Sequence, residues 1–207
     1  MSVFQTIGSA TWLLDYILNN VWLAIGVWAG LYCLDYAFTI KAARLYRDGA
    51  HQHFIFPEGI ELNPFFQDDI AKIRTFSFRF FLILFLIGGL LLIVSIIPEA
   101  FAVVWGMFVG IQLANHCRHL RGLAAYSHAR RSAGLSGKIQ YELWLSLRLS
   151  SVDFFYFGLL FLILFSFWGH LFALGAALGC LSLALRHLID SAKKRKSALK
   201  KNEILGG

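Results

Sequence analysis

The chain has 207 residues, is 58% hydrophobic with 20 Phe, 7 Tyr and 6 Trp, and carries a formal net charge of +7. A soluble domain of this length cannot hide so much apolar surface in one core, which excludes the ordinary water-soluble classes. The charge is also segregated, with no Lys or Arg between Met1 and Ile40, and the reading is an all-α integral membrane protein.

In chain order, residues 1–20 come first. The segment MSVFQTIGSATWLL lacks the basic stretch of a cleavable secretion signal, so the first hydrophobic helix is expected to be retained. Two readings fit residues 1–20. They form an interfacial helix outside, with Phe4, Ile7, Trp12, Leu13 and Tyr16 at the headgroup boundary, or they extend the first span outward. Apolar runs suited to crossing a hydrocarbon layer then recur at 21–40, 78–97, 100–116, 152–168 and 171–188. Pro98-Glu99 separates the second from the third and Gly169-His170 the fourth from the fifth, which predicts two tight helical hairpins.

Lys and Arg accumulate on the cytosolic side of short loops. With five spans, all 19 basic residues fall on one side, and none lies in the Pro98 or Gly169 turns. The predicted fold is therefore a five-transmembrane-helix bundle, N-terminus outside and C-terminus cytosolic, in a prokaryotic inner membrane. The loops 41–77 and 117–151 are predicted to be partly helical and to extend into the cytosol. Asn63-Pro64 is a helix start, with Asp68 and Asp69 in an early turn, and this helix is expected to run through Arg74 into span two. Span three is expected to continue through HCRHLRGLAAYSHARR, to break over Ser132–Gly137, and to be followed by a new helix from Lys138 into span four. Residues 191–207 form a basic tail whose KKRK run, Lys193 to Lys196, anchors the topology. Such a basic collar suits the bilayer and its anionic lipids. A docking surface for an acidic partner, a nucleotide or a phosphorylated substrate is the alternative. No nucleic-acid partner is expected, because the charges are not interleaved with aromatic side chains.

Ionisable side chains inside spans are costly and mark candidate sites. Asp35 lies in span one, with Thr39 on the same face and Tyr32 and Tyr36 beside it. Gln112, Asn115, His116 and His119 follow on span three, Arg79 opens span two, and Asp153 opens span four after Arg148. These residues are predicted to share one polar cluster. Its purely structural version pairs Asp35 with Arg79 and Asp153 with Arg148. Its functional version is a proton, cation or headgroup site. Glu61 and Asn63, in the run Glu58-Gly59-Ile60-Glu61-Leu62-Asn63-Pro64, form a second candidate at the basic side.

The spacing of Asp35 and Thr39, followed by Glu61-x-Asn63-Pro64, resembles small uncharacterised prokaryotic membrane proteins in which an aspartate and a threonine precede an E-A-N-P-like motif. The likeness covers spans one and two and departs from the pattern by a longer connecting loop. It implies no defined biochemistry.

No metal site is expected, and Cys33, Cys117 and Cys180 read as free thiols because no CxxC spacing exists. Haem held between His116 and His187 is a minor alternative. His51 and His53 read as solvated. Three GxxxG pairs occur: Gly26 with Gly30, Gly106 with Gly110, and Gly175 with Gly179. They predict close helix packing, within one bundle or between copies, and Gly88-Gly89 offers a bend in span two. GxSxG, HExxH, P-loop and Rossmann signatures are absent, as are a rhomboid-like serine–histidine arrangement and the paired aspartates of lipid phosphotransferases. The sequence thus favours a non-enzymatic polytopic protein, acting as a homo-oligomer (ion-conducting in one variant, lined by Gln112 and Asn115) or as the membrane subunit of a larger assembly. The competing expectation is an enzyme or carrier acting on a lipid or other amphiphile through the polar cluster.

Overall fold

The computed structural model describes residues 11–59, 61–131 and 137–206, with side chains up to residue 200. Phe4, Ile7 and the expected break at 132–136 lie outside them.

Helix α1 covers Trp12–Asn19 and helix α2 Val21–Arg47. The two are distinct elements. Asn20 between them is extended, and its side chain accepts the Leu23 N–H to cap α2. The first segment is therefore not a straight continuation of span one. Trp12, Leu13 and Tyr16 stand mostly exposed on it. An ion pair of 3.1 Å joins Asp15 of α1 to His170.

A short 3₁₀ turn, Ala50–Gln52, leads to strand β1, Phe54–Ile55. Helix α3, Gln67–Ala71, follows, then α4, Phe78–Val94. The long helix expected from Pro64 into span two does not form. Asn63 makes a local turn instead, its Oδ1 accepting the Phe65 N–H, and helix begins only at Gln67. The chain then leaves helix at Ile73, which has φ of 50°. That unusual β-branched conformation is held by Asp69. Its buried carboxylate accepts hydrogen bonds from Arg74 and from the Ser77 hydroxyl, and Ser77 in turn caps α4.

Helix α5 runs Pro98–Arg131, strand β2 is Ile139–Gln140, helix α6 is Leu143–Trp168, and helix α7 is Leu171–Gly206. Helix α4 ends at Val94, three residues short of the predicted span, because Ser95–Ile97 already turn into α5. The helix expected from Lys138 starts at Leu143, since Ile139 and Tyr141 donate to the carbonyls of His53 and Ile55 and complete a two-stranded parallel ribbon. Gly169, at φ of 65°, closes α6 in the left-handed conformation that glycine adopts without strain. The basic run from Lys193 to Lys196 belongs to α7 rather than to a separate tail.

Among the described residues, four helices are long and apolar enough to cross a membrane: α2, α5, α6 and α7. The fifth apolar helix, α4, has 17 residues, about 26 Å of rise, which falls short of a hydrocarbon layer of about 30 Å.

Packing follows side-chain size. Helices α5 and α7 run parallel, and two glycine pairs interlock between them. A β-carbon at Gly106 falls 2.3 Å from the Phe172 carbonyl oxygen, and one at Gly175 falls 2.0 Å from that of Val103. Gly110 meets Ala176 and Gly179 meets Met107 in the same way. The third pair takes no part in packing within the bundle. Gly26 is exposed, and Gly30 is exposed as well. Nothing lies within 4 Å of a β-carbon at Gly30 or at Gly26. The physical reason is rotation of α2, which turns its larger residues Trp28 and Tyr32 into the core and leaves the face of Gly30 outward. Helices α2 and α5 are also parallel, joined where the buried Trp105 indole donates to the Ala24 carbonyl at 2.7 Å. Trp28, Tyr32, Phe80, Leu91 and Phe101 fill the core around that bond. Helices α6 and α7 are tied by serines: Ser151 donates to the Ala184 carbonyl and Ser191 to that of Trp144. The three cysteines are free.

Candidate functional site

At the basic end the bundle opens into a cavity of about 1370 Å³. Its floor is α5 (Ile111, Gln112, Asn115), and α2 supplies Tyr32, Asp35, Tyr36 and Thr39, spaced for one helix face. Ile83 of α4 lies on one side, and Leu149, Asp153 and Phe154 of α6 on the other. The loop before α3 contributes Glu61 and Asn63, and α7 contributes Leu183, Arg186 and His187. The wall is thus apolar toward the bundle interior and charged toward the basic end.

Asp35 finds His119, not Arg79. The His119 Nε2 lies 3.2 Å from Asp35 Oδ1 and 3.3 Å from the Thr39 hydroxyl. Thr39 itself donates to the Asp35 carbonyl oxygen at 3.0 Å, back along its own helix. Arg79 turns away, donating to the Phe65 carbonyl at 2.7 Å and lying over the Phe65 ring. Asp153 likewise pairs with α5 rather than with Arg148. Arg121 grips it with two nitrogens, at 2.7 and 3.2 Å, and the Arg118 Nε lies 3.5 Å away. Arg118 also donates to Asn115 Oδ1 and sits over the Phe154 ring. Arg148 is exposed. The reason for both re-pairings is helix geometry. Arg118 and Arg121 are three residues apart and share a face of α5, whereas Arg148 is carried to the outer surface of α6.

Glu61 accepts the Asn63 N–H at 2.8 Å, and Gln67 donates to the Glu61 carbonyl oxygen. Burial raises the Glu61 carboxyl above its ordinary range; the Asn63 hydrogen bond and nearby His119 counter this, while Asp35 adds to it. Asp68, exposed on α3, is shifted the other way by its hydrogen bond from Lys72.

Of the sequence candidates, the cavity gathers Asp35, Thr39, Glu61, Asn63, Gln112, Asn115 and Asp153, and leaves out Arg79, Arg148 and His116. His116 faces α2, its Nε2 3.0 Å from the Leu31 carbonyl oxygen and its ring edge-on to Phe38. His187 faces α6, with Nδ1 2.7 Å from the Ser150 hydroxyl. The two imidazoles therefore do not face a common space in which to bracket haem. His51 and His53 are held to the carbonyls of Tyr46 and Gly137. The Ser150–His187 contact is a serine–histidine pair that sequence reasoning did not find. The signal was absent because the residues lie 37 positions apart on two helices. Ser150 is only 1% exposed, so this contact, like those of Ser151 and Ser191, serves to bind α6 to α7. No group of three or more His, Cys, Asp or Glu suited to a metal ion occurs among the described residues.

No protein-family model, curated relative or solved structure matches the chain.

Proposed function

We propose that the protein is an integral membrane protein of a prokaryotic inner membrane that binds an amphiphile, with the polar part in the Asp35–His119–Asp153 cavity and the apolar part in the cleft beside α4. The observation that carries this reading is the cavity itself, which side chains of one copy of the chain line. Helix α4 packs on α2 and α5, and α6 packs mainly on α7, so the space between α4 and α6 over α5 is bounded by Ile83, Ile111 and Phe154 rather than closed by a helix contact. The flanking surfaces are apolar: Phe85 and Leu86 of α4 and Val152 and Phe155 of α6 are exposed. Such a wall accepts a hydrocarbon chain, while the charged end accepts a headgroup. The arrangement serves a carrier or an enzyme equally.

This reading takes α2, α4, α5, α6 and α7 as five spans, with the N-terminus outside and the basic collar in the cytosol. Exposed Ile96 and Ile97 after α4 lengthen its apolar stretch, and local thinning or tilt accommodates the remainder. The oligomeric reading retains one observation in its favour, the open face of α2 that carries Gly26 and Gly30.

Native mass spectrometry of gently released protein tests the two. The amphiphile reading expects a monomer or dimer that retains a lipid-sized molecule, lost when Ile111→Trp fills the cavity. A closed ring of three or more copies, free of bound lipid, would overturn it and favour the pore or subunit.

A further inference from the structure

Tyr32, Asp35 and Gln112 all line the cavity. Tyr32 and Gln112 are each only 8% exposed. The Tyr32 hydroxyl and Gln112 Oε1 have no hydrogen-bond partner among the described residues, and Asp35 Oδ1 has only the His119 Nε2 at 3.2 Å. Buried polar atoms left so are uncommon, because each bears its desolvation cost without return. These three belong to one place. Helices α2 and α5 run side by side, with cross-helix contacts between residues 81, 85 and 80 positions apart, which sets Gln112 beside the 27–32 stretch of α2, one to two turns from Asp35.

The atoms that face the cavity are a carboxylate oxygen shared with one imidazole, an amide oxygen and a phenol oxygen, a set rich in acceptors, and the Trp28 Nε1 donor, also without a partner, does not line it. Their complement is a cation with several N–H donors. A primary ammonium offers three. A quaternary ammonium offers none and needs open aromatic faces, yet the Tyr32 ring is stacked between Trp28 and Phe80, at 5.6 and 4.8 Å. Closer to the basic end, Arg118 and Arg121 share the single carboxylate of Asp153. Arg118 also lies near Glu61 and Asp35, yet two guanidinium groups on one carboxylate leave N–H donors that a phosphate can take up.

We infer that the inner end of the cavity is a primary-ammonium site, in which Tyr32, Asp35 and Gln112 receive the amine of a phosphate-bearing ligand whose phosphate lies on the Arg118 side. This rests on the amphiphile reading and names its headgroup. The amine belongs to a membrane aminophospholipid or to a free amine, and the chemistry of recognition is the same.

The test is equilibrium binding to the purified full chain in maltoside micelles, with three probes: dihexanoylphosphatidylethanolamine, dihexanoylphosphatidylcholine and free ethanolamine. The ethanolamine lipid is expected to bind about tenfold more tightly than the choline lipid. Asp35→Asn removes that preference, and Tyr32→Phe, which keeps the ring and its stacking, weakens it about threefold. Arg79→Gln, outside the cavity, leaves it unchanged. If Asp35→Asn fails to fold, Tyr32→Phe and Gln112→Leu carry the comparison. Ethanolamine binding as tight as that of its lipid upholds the ammonium site and assigns it a soluble amine. Equal affinity for both lipids, unmoved by the variants, overturns the ammonium assignment and leaves the amphiphile reading standing. Failure of the folded protein to bind either lipid overturns the amphiphile reading itself. Sodium binding in amine-free buffer, lost in Asp35→Asn, overturns the ammonium assignment in favour of an alkali-metal cation.

Discussion

Asp69 of α3 and Glu61 of the loop before it are carboxylates of one connection, and their surroundings treat them differently. Asp69 is 2% exposed and fully engaged by Arg74 and Ser77, so its charge is compensated and it fixes the turn that re-aims the chain into α4. Glu61 has one backbone N–H and is raised by burial. In the folded state it holds its proton more tightly than in the unfolded chain. Its contribution to stability is therefore present below the ordinary carboxylate value of about 4.3 and is lost as pH rises through the raised value. Glu61→Gln stays neutral throughout. Thermal unfolding in detergent is expected to fall less for this variant than for the native chain between mildly acidic and neutral pH. Parallel profiles would show that Glu61 does not titrate in the fold.

At the scale of elements, three glycine pairs of identical spacing have two fates. The α5–α7 pairs leave no room for a methyl group: Gly175 would place one 2.0 Å from a backbone oxygen. Gly106→Ala and Gly175→Ala are expected to cost about 1–3 kcal/mol through overpacking. Gly26→Ala and Gly30→Ala meet open space. Each is expected to change stability by no more than about 0.5 kcal/mol, or to raise it through better helix propensity. Thermal shift assays with size-exclusion chromatography check both expectations. Equal losses at all four positions, or a change of oligomeric state in Gly26→Ala or Gly30→Ala alone, would mean that the α2 face is packed against another copy. The carboxylate pairings follow the same logic of element geometry. Arg148 is nearer to Asp153 in sequence than Arg121 is, but it projects from a different side of α6 and does not reach.

For the molecule as a whole, the proposed five-span arrangement makes a prediction about sidedness. In a chain with Cys33, Cys117 and Cys180 replaced by Ala, Ile96→Cys in the exposed α4–α5 turn is expected to react with an impermeant maleimide in intact cells. Lys194→Cys on α7 is expected to react only after permeabilisation. Labelling of both in intact cells would remove one of α5, α6 and α7 from the set of spans and place the basic end of α7 outside. The cavity is a whole-molecule property too: α2, α5, α6, α7 and the loop before α3 each contribute a side chain to it, and none makes a site alone.

Local composition was enough for the class of structure and for the material of the site. Apolar runs and one-sided charge depend only on nearby residues and on the cost of charge in hydrocarbon, so the long apolar helices and the residues Asp35, Thr39, Glu61, Gln112, Asn115 and Asp153 were legible before any fold was known. The interruption at Ile73 was not, because it depends on Asp69 reaching Arg74 and Ser77 across a turn. Neither were the partners of Asp35 and Asp153, the contact of Ser150 with His187, or the exclusion of Gly26 and Gly30 from the packed glycine pairs. Each is decided by the rotation and register of one helix against another. Those are set when α5 closes on α2 through Trp105 and on α7 through its glycines, a balance of packing and hydrogen bonding between distant residues that no local pattern encodes.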